Sequence, residues 1–176
     1  MIPSSSLPGS LFFLGELTVS HVDDRYVNWL LDPKVNKFME VKNTLVSIES
    51  QRDFINGINL SPNSLIFGIF TESGLLIGSI KCGPISFEEK SAEIGLMIGD
   101  KDYWGKGIGT ESIRLICEFA RTELNLTYLT AGVYSKNTGS FRAFKTNGFE
   151  IQSILKDFVE IENKVFDDVI RLRKIL

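Results

Sequence analysis

The sequence has a single histidine, two cysteines and five prolines in 176 residues, and each scarcity excludes a class of chemistry. His21 has no Cys or carboxylate at ligand spacing, so it supports neither a metal site nor a Ser-His-Asp triad; it reads as a surface residue near the first helix, and no metal is expected. Cys82 and Cys117 lie far apart and outside any C-x-x-C pattern, which suits two small buried side chains better than a disulfide. Basic excess is missing too: 19 Lys and Arg against 22 Asp and Glu leave a formal charge of −3, the wrong sign for a phosphate-backbone binder, so no nucleic-acid partner is expected. No stretch approaches roughly 18 uninterrupted apolar residues. The opening MIPSSSLPGS puts no Lys or Arg ahead of an apolar run, so it does not read as a secretory signal. The expectation is a cytoplasmic protein with no membrane partner.

What is present is an ordinary globular composition, 43% hydrophobic and 23% charged with 13 Phe, enough to fill one core. We expect a polar segment at 1–10 followed by one domain at 11–176. Leu11 to Leu17 reads as a first strand. Asp24 to Leu31 reads as a short helix stopped by Asp32-Pro33, since proline disfavours helix at the residue before it. A second helix follows Ser47, whose hydroxyl can cap free amides. Leu65 to Phe70 and Leu75 to Gly83 flank the turn Thr71–Gly74 as a hairpin.

In Ser91 to Gly99, Ala92, Ile94, Leu96 and Ile98 alternate with Glu93, Gly95 and Met97, so one strand face is apolar and the other carries a carboxylate. Ile113, Ile116, Cys117, Ala120 and Leu124 follow the i, i+3, i+4 rhythm of a helix from about Thr110 to Leu124. A strand at Leu126 to Tyr134, a helix at Thr138 to Asn147 ended by Gly148, and strands at Phe149 to Phe158 and Lys164 to Lys174 complete a mixed α/β layout with one central sheet. The alternating Arg171-Leu172-Arg173-Lys174 reads as a solvated sheet edge.

Between strand and helix stands Gly105-Lys106-Gly107-Ile108-Gly109. Such a turn gathers free backbone N–H groups and the positive end of a helix dipole at one point, an arrangement that binds phosphate or pyrophosphate. Glycines let a bulky anion approach the main chain, and Lys106 adds positive charge. The P-loop pattern G-x-x-x-x-G-K-[ST] is absent, and Thr110 stands where the G-x-G-x-x-G fingerprint needs its last glycine. Taken alone, the turn could also be a plain strand-to-helix connection.

Two segments resemble the GNAT superfamily of N-acetyltransferases. Tyr103-Trp104-Gly105-Lys106-Gly107-Ile108-Gly109-Thr110-Glu111 resembles the family's pyrophosphate-cradling turn, Q/R-x-x-G-x-G/A, with Trp104 where Gln or Arg is commonest. That departure is familiar from the branch of ribosomal-protein N-terminal alanine acetyltransferases, which AEIGLMIGDKDYWGKGIGTES also resembles. Asn137, Ser140, Ala143, Phe144 and Gly148-Phe149 resemble the family's N-x-x-[AS]-x-x-x-[YF]-x-x-x-G-F helix. The likeness runs from about Leu11 to the C-terminus.

The resemblance implies a mostly antiparallel sheet of six to seven strands, splayed between the fourth and fifth and flanked by about four helices. It implies acetyl-CoA as acetyl donor and direct attack by a primary amine, without an acyl-enzyme. On the matching positions, Trp104, Gly105, Lys106, Gly107, Ile108, Gly109 and Thr110 hold the pyrophosphate. Main-chain groups near Met97, Ile98 and Gly99 meet the donor and its thioester oxygen, and Asn137 and Phe144 lie along the pantetheine arm. Glu93 matches the family's frequent general base. Many relatives carry a proton-donating Tyr where this chain has Phe144, so that role does not carry over; Tyr134 and Ser140 lie nearby.

Trp29, Phe38 and Phe54 fall in the region that walls the family's acceptor pocket, though aromatics mainly serve as core; Trp29, Phe38 and Tyr134 are the candidate pocket residues. The resemblance divides the acceptor between a protein N-terminus and a small amine such as an amino sugar nucleotide. Tyr26 to Pro33 looks like bacterial relatives associated with surface-polysaccharide amino sugars. A non-catalytic acyl-CoA-binding domain would keep the glycine turn and Asn137 without depending on Glu93. The expected partner is a small-molecule or peptide amine, and the expected state a monomer or homodimer.

Overall fold

The computed structural model describes residues 12–40, 45–162 and 165–176; the polar segment 1–10, Leu11 and Lys164 of the sequence reading lie outside them. The alternating segments form one seven-stranded sheet. Its strands are β1 (Phe12–Glu16), β2 (Leu65–Thr71), β3 (Leu76–Ser86), β4 (Ser91–Ile98), β5 (Tyr128–Tyr134), β6 (Glu150–Glu162) and β7 (Val165–Ile175). They lie in the order β1-β2-β3-β4-β5-β7-β6. Every neighbouring pair is antiparallel except β4 and β5.

Helices cover both faces. On one side lie α1 (Asp24–Leu31), α2 (Pro33–Asn36) and α3 (Ile48–Asn59), whose Tyr26, Leu30, Ile55 and Ile58 pack on Ile66, Phe70 and Met97. On the other lie α4 (Ile108–Thr122) and α5 (Thr138–Thr146). There Ile113 and Ile116, both at 0% exposure, meet Ile80, Ile94 and Leu129; each such side chain contributes roughly 1.5–3 kcal/mol by leaving water. The expected Ser47 cap forms, accepting from the Ser50 N–H at 3.1 Å, and Asp23 caps α1 by accepting from the Tyr26 N–H at 2.9 Å.

Besides shifted strand ends, with β5 starting at Tyr128 and β6 running on to Glu162, four details differ from the sequence reading. Asp32-Pro33 does stop α1, but the Asp32 carboxylate then accepts from the Lys34 N–H at 2.8 Å and starts α2 with proline in its first turn. Strand β3 does not end at Gly83: after a register shift it continues, with Ile85 opposite Ala92. Helix α4 begins and ends two residues earlier than its apolar stripe suggested, because left-handed Gly107 launches it directly. Finally, β7 is not a sheet edge. The β6–β7 hairpin folds back so that β7 docks on β5 and β6 takes the edge, which leaves Leu172 fully buried and lays the Arg173 guanidinium over the Tyr128 ring at 3.9 Å.

Candidate active site

The one parallel contact is short. Ser91, Ala92 and Glu93 pair with Tyr128, Leu129 and Thr130, and there the pairing of β4 with β5 stops. Gly99 donates its main-chain N–H to Ile77 of β3. Main-chain groups alternate in direction along a strand, so Met97 also turns its own to β3, while Ala92, Ile94, Leu96 and Ile98 turn theirs toward β5. Two bonds agree with this: Thr130 Oγ1 donates to the Ala92 carbonyl at 3.5 Å and the Trp104 indole N–H to the Ile98 carbonyl at 2.7 Å. Beyond Glu93, then, β4 presents unpaired backbone to an open gap. Of the three residues expected to supply main-chain contacts, Ile98 faces the gap, while Met97 and Gly99 turn their N–H groups to β3; Met97 contributes its side chain to the lining.

At the C-terminal end of that strand the chain makes its glycine turn. Gly105 and Gly107 hold φ of 72° and 78°, the left-handed region that side chains rarely adopt. Gly107 caps α4 with no side-chain hydrogen bond, and the first helical bond runs from the Glu111 N–H to the Gly107 carbonyl. The N–H groups of Ile108, Gly109 and Thr110 are therefore left facing outward beside the positive end of a 15-residue helix. Nothing lies within 4 Å of where a Cβ on Gly105 or Gly107 would stand. Lys106 is exposed, its ammonium 5.2 Å from the Tyr103 ring centre. The cradle fits a phosphate-bearing ligand.

A network from α1 fixes this loop. Arg25 reaches the Asp100 carboxylate at 2.7 Å and the Leu76 carbonyl at 2.7 Å, and Lys101 pairs with Asp32. Trp29 belongs here rather than to a substrate pocket. It is 8% exposed, it does not line the cavity, and its ring packs against Gly99 so closely that a Cβ there would stand 2.2 Å from the indole.

A cavity of about 570 Å³ fills the gap and reaches both faces of the sheet. On the α4–α5 side its wall is Ile94, Leu96, Val133, Asn137, Ser140 and Phe144. Asn137 caps α5 by accepting from the Ser140 N–H at 3.2 Å, which leaves its amide N–H₂ to donate. Phe144 is 2% exposed, edge-to-face with Phe149 at 5.0 Å. On the α1–α3 side the apolar wall is Leu30, Phe38, Met39, Phe54 and Ile66. Phe38 meets Tyr134 edge-to-face at 6.1 Å. Phe38 and Tyr134, expected at the acceptor pocket, and Asn137 and Phe144, expected along the donor's arm, line this one cavity.

Glu93 stands where the strands part, half-buried, its Oε1 accepting from Arg171 Nη1 at 3.0 Å. It is not part of the cavity wall itself; a Cβ on Gly132, which is, would lie 3.7 Å from that oxygen. Burial, with the nearby charges of Glu40 and Asp167, raises the Tyr134 hydroxyl above its ordinary value, keeping it protonated and able to donate at neutral pH. Burial also raises Tyr26, partly offset by a hydrogen bond with Ser79.

Several wall residues escaped the sequence reading: Tyr26, Glu40, Gln51, Ser79 and Lys81. Two carried a signal. Lys81 interrupts an otherwise uncharged strand, and Gln51 sits four residues before Ile55 on the buried stripe of α3. Asp167 was missed as well. At 3% exposure it accepts from Ser135 Oγ at 2.6 Å and the Lys136 N–H at 3.1 Å, so β7 pins the loop between Tyr134 and Asn137. Among the described residues no three His, Cys, Asp or Glu gather to hold a metal, and no helix is long and apolar enough to cross a membrane.

Residues 12–150 match the family model described as acetyltransferase (GNAT) domain. The chain is 29% identical over 140 residues to the uncharacterized N-acetyltransferase p20 of Bacillus licheniformis, covering 77% of this chain and 78% of that one. It is 40% identical over 104 residues to the probable N-acetyltransferase YjcK of Bacillus subtilis, covering 58% and 56%. Among solved structures, spermidine N-acetyltransferase from Vibrio cholerae in complex with CoA and spermine superposes with a TM-score of 0.83 at 20% identity, covering 94% of this chain and 95% of that one. At that identity the likeness speaks for the fold alone.

Proposed function

This chain belongs to the GNAT acetyltransferase family, and on that premise we propose that it transfers an acetyl group from acetyl-CoA to a primary amine inside the β4–β5 gap. One observation carries the reading: the uncapped start of α4 lies against Leu96, 3.1 Å from where a Cβ on Gly109 would stand, and Leu96 lines the cavity beside the gap, so a donor anchored by its pyrophosphate at Gly105–Thr110 has a path for its pantetheine arm. Trp104, Lys106, Ile108, Gly109 and Thr110 complete that anchor, and Asn137 and Phe144 flank the arm.

Bound there, the donor supplies a thioester whose carbonyl carbon accepts the amine. The chain's own groups do the rest. Glu93 takes the proton that an ammonium must lose before it can attack, directly or through a water, while Arg171 holds the carboxylate in place. The gap-facing N–H groups of Ile94, Leu96 and Ile98 supply fixed donors where negative charge builds on the thioester oxygen. Phe144 has no proton to give. A thiol's reference pKa near about 8.5 lets the leaving group depart with a proton from water, or from Tyr134 across the cavity.

The acceptor follows from resemblance more than geometry: a protein N-terminus, as in the ribosomal-protein branch, or a small amine such as an amino sugar nucleotide. The test is free CoA released from acetyl-CoA over N-terminal peptides, amino sugar nucleotides and polyamines. Turnover with one class names the acceptor. Tight acetyl-CoA binding with no release on any amine would replace this reading with a non-catalytic acyl-CoA-binding domain.

A further inference from the structure

The acceptor side of the cavity carries two polar groups that acetyl transfer itself does not use. Lys81 sits mid-strand on β3, between Ile66 of β2 and Gly95 of β4 in register. It is half-buried, lines the cavity, and has no hydrogen-bond or ion-pair partner among the described residues. Gln51 is 9% exposed, lines the same cavity from α3, and its side-chain amide likewise has no partner among the described residues. Helix α3 packs on β2, whose Ile66 stands beside Lys81, so both groups serve one region of the wall.

Neither group is sealed from water; both face the open cavity with donors, and in Gln51 an acceptor, left over for whatever occupies it. Their retention at a cavity wall points to a ligand that completes them. The charged residues of the lining are Lys81 and Glu40, one of each sign, while Glu93, just outside it, is already engaged by Arg171.

Resting on the transferase reading above, we propose that the acceptor is a small amine that also bears one anionic group, a carboxylate or a phosphate, read by Lys81 with Gln51 beside it. Glu40, at the rim near Tyr134, attracts the ammonium end. The pattern is the opposite of what a polyamine needs, since a second ammonium would be driven against Lys81. Cavity size agrees: 570 Å³ suits a small molecule with room for the donor's acyl end.

The test uses matched amines: glucosamine against glucosamine 1-phosphate, an amino acid against its amide, and spermidine as the polycation. With the full chain and acetyl-CoA, the anionic member of each pair is expected to be favoured about 30-fold in kcat/KM, the range of a charge-assisted contact. Lys81→Gln reduces that preference to within about threefold, chiefly through KM, with acetyl-CoA affinity and melting temperature unchanged; Lys81→Glu shifts preference toward spermidine. Which pair responds separates phosphate from carboxylate. Equal use of charged and uncharged members, preference for spermidine, or a preference indifferent to Lys81→Gln would overturn the inference while leaving the transferase reading intact. If no amine releases CoA, the transferase reading fails. The inference is then decided by calorimetric binding of glucosamine 1-phosphate and glucosamine to the CoA-loaded protein, where binding that does not depend on the phosphate and on Lys81 rejects it.

Discussion

The two sides of the cavity are built on different plans. The α4–α5 side offers its proposed ligand mainly backbone, the free amides after Gly107 and the unpaired edge of β4, with the Asn137 side-chain amide beside them. The α1–α3 side offers side chains drawn from several parts of the chain: Tyr26, Glu40, Gln51, Ser79, Lys81 and Tyr134. Main-chain donors suit a ligand that is the same in every member of a family, because almost any sequence with the right glycines can supply them. Side chains suit the ligand that varies, because each can change without disturbing the sheet.

Substitutions can break that contrast, and the largest effect belongs to the turn. Gly107→Val forces a β-branched residue to φ of 78° and places methyl groups at the proposed anion cradle. Strain of about 1–3 kcal/mol plus lost contacts should weaken acetyl-CoA binding by about 100-fold, measured by calorimetry, with little change in acceptor preference. Glu93→Gln should lower kcat/KM by about 100-fold while acetyl-CoA affinity holds, the reverse pattern, read from initial rates and the same titration. Comparable loss of donor affinity in Glu93→Gln would blur the two sides.

A smaller effect tests the placement of Trp29. Gly99→Ala drives a methyl into the indole and should cost about 1–3 kcal/mol of stability, as overpacking does. Trp29→Leu in the same chain should recover part of that loss in a denaturant titration. If Trp29→Leu alone changed acceptor KM with stability intact, Trp29 would be a pocket wall after all.

The smallest effect lies behind the donor side. Burial, with Cys117 nearby, pushes the Cys82 thiol up to about 12. Burial likewise pushes Cys117 to about 11, against the opposing pull of Lys174. Neither thiol should react with Ellman's reagent at pH 8 until the protein unfolds. Because the folded values lie above the ordinary 9.0, their contribution to stability is fully present below pH 9. It is lost as pH rises through about 11 to 12, so the melting temperature should decline over that window.

The same contrast decides what could be read from the sequence. The donor side was legible because its parts are contiguous: nine residues from Tyr103 to Glu111 hold the turn, and Asn137 to Phe149 holds the capped helix. The alternation of Ser91 to Ile98 correctly put Glu93 and Gly95 on one face. The acceptor side was largely hidden, since Tyr26, Gln51 and the pair Ser79 and Lys81 come from three elements and nothing local links those elements. Trp29 and Phe38, nine residues apart, looked equivalent; only packing sends one under Gly99 and the other into the cavity. Strand β7 failed for a related reason. Alternating charges look the same in an edge strand and in an interior strand with one open face, and it is the return of the β6–β7 hairpin onto β5 that separates them.

Direct attack in the gap is the central claim, and a single-turnover experiment tests it most directly. Protein in excess over acetyl-CoA is followed for free CoA, first without an acceptor and then with an amine from the acceptor class that supports turnover. The account predicts no burst of CoA before the amine arrives and stoichiometric release afterwards, with an unmodified chain mass throughout. A burst of CoA in the absence of amine, accompanied by an acetylated chain, would contradict it.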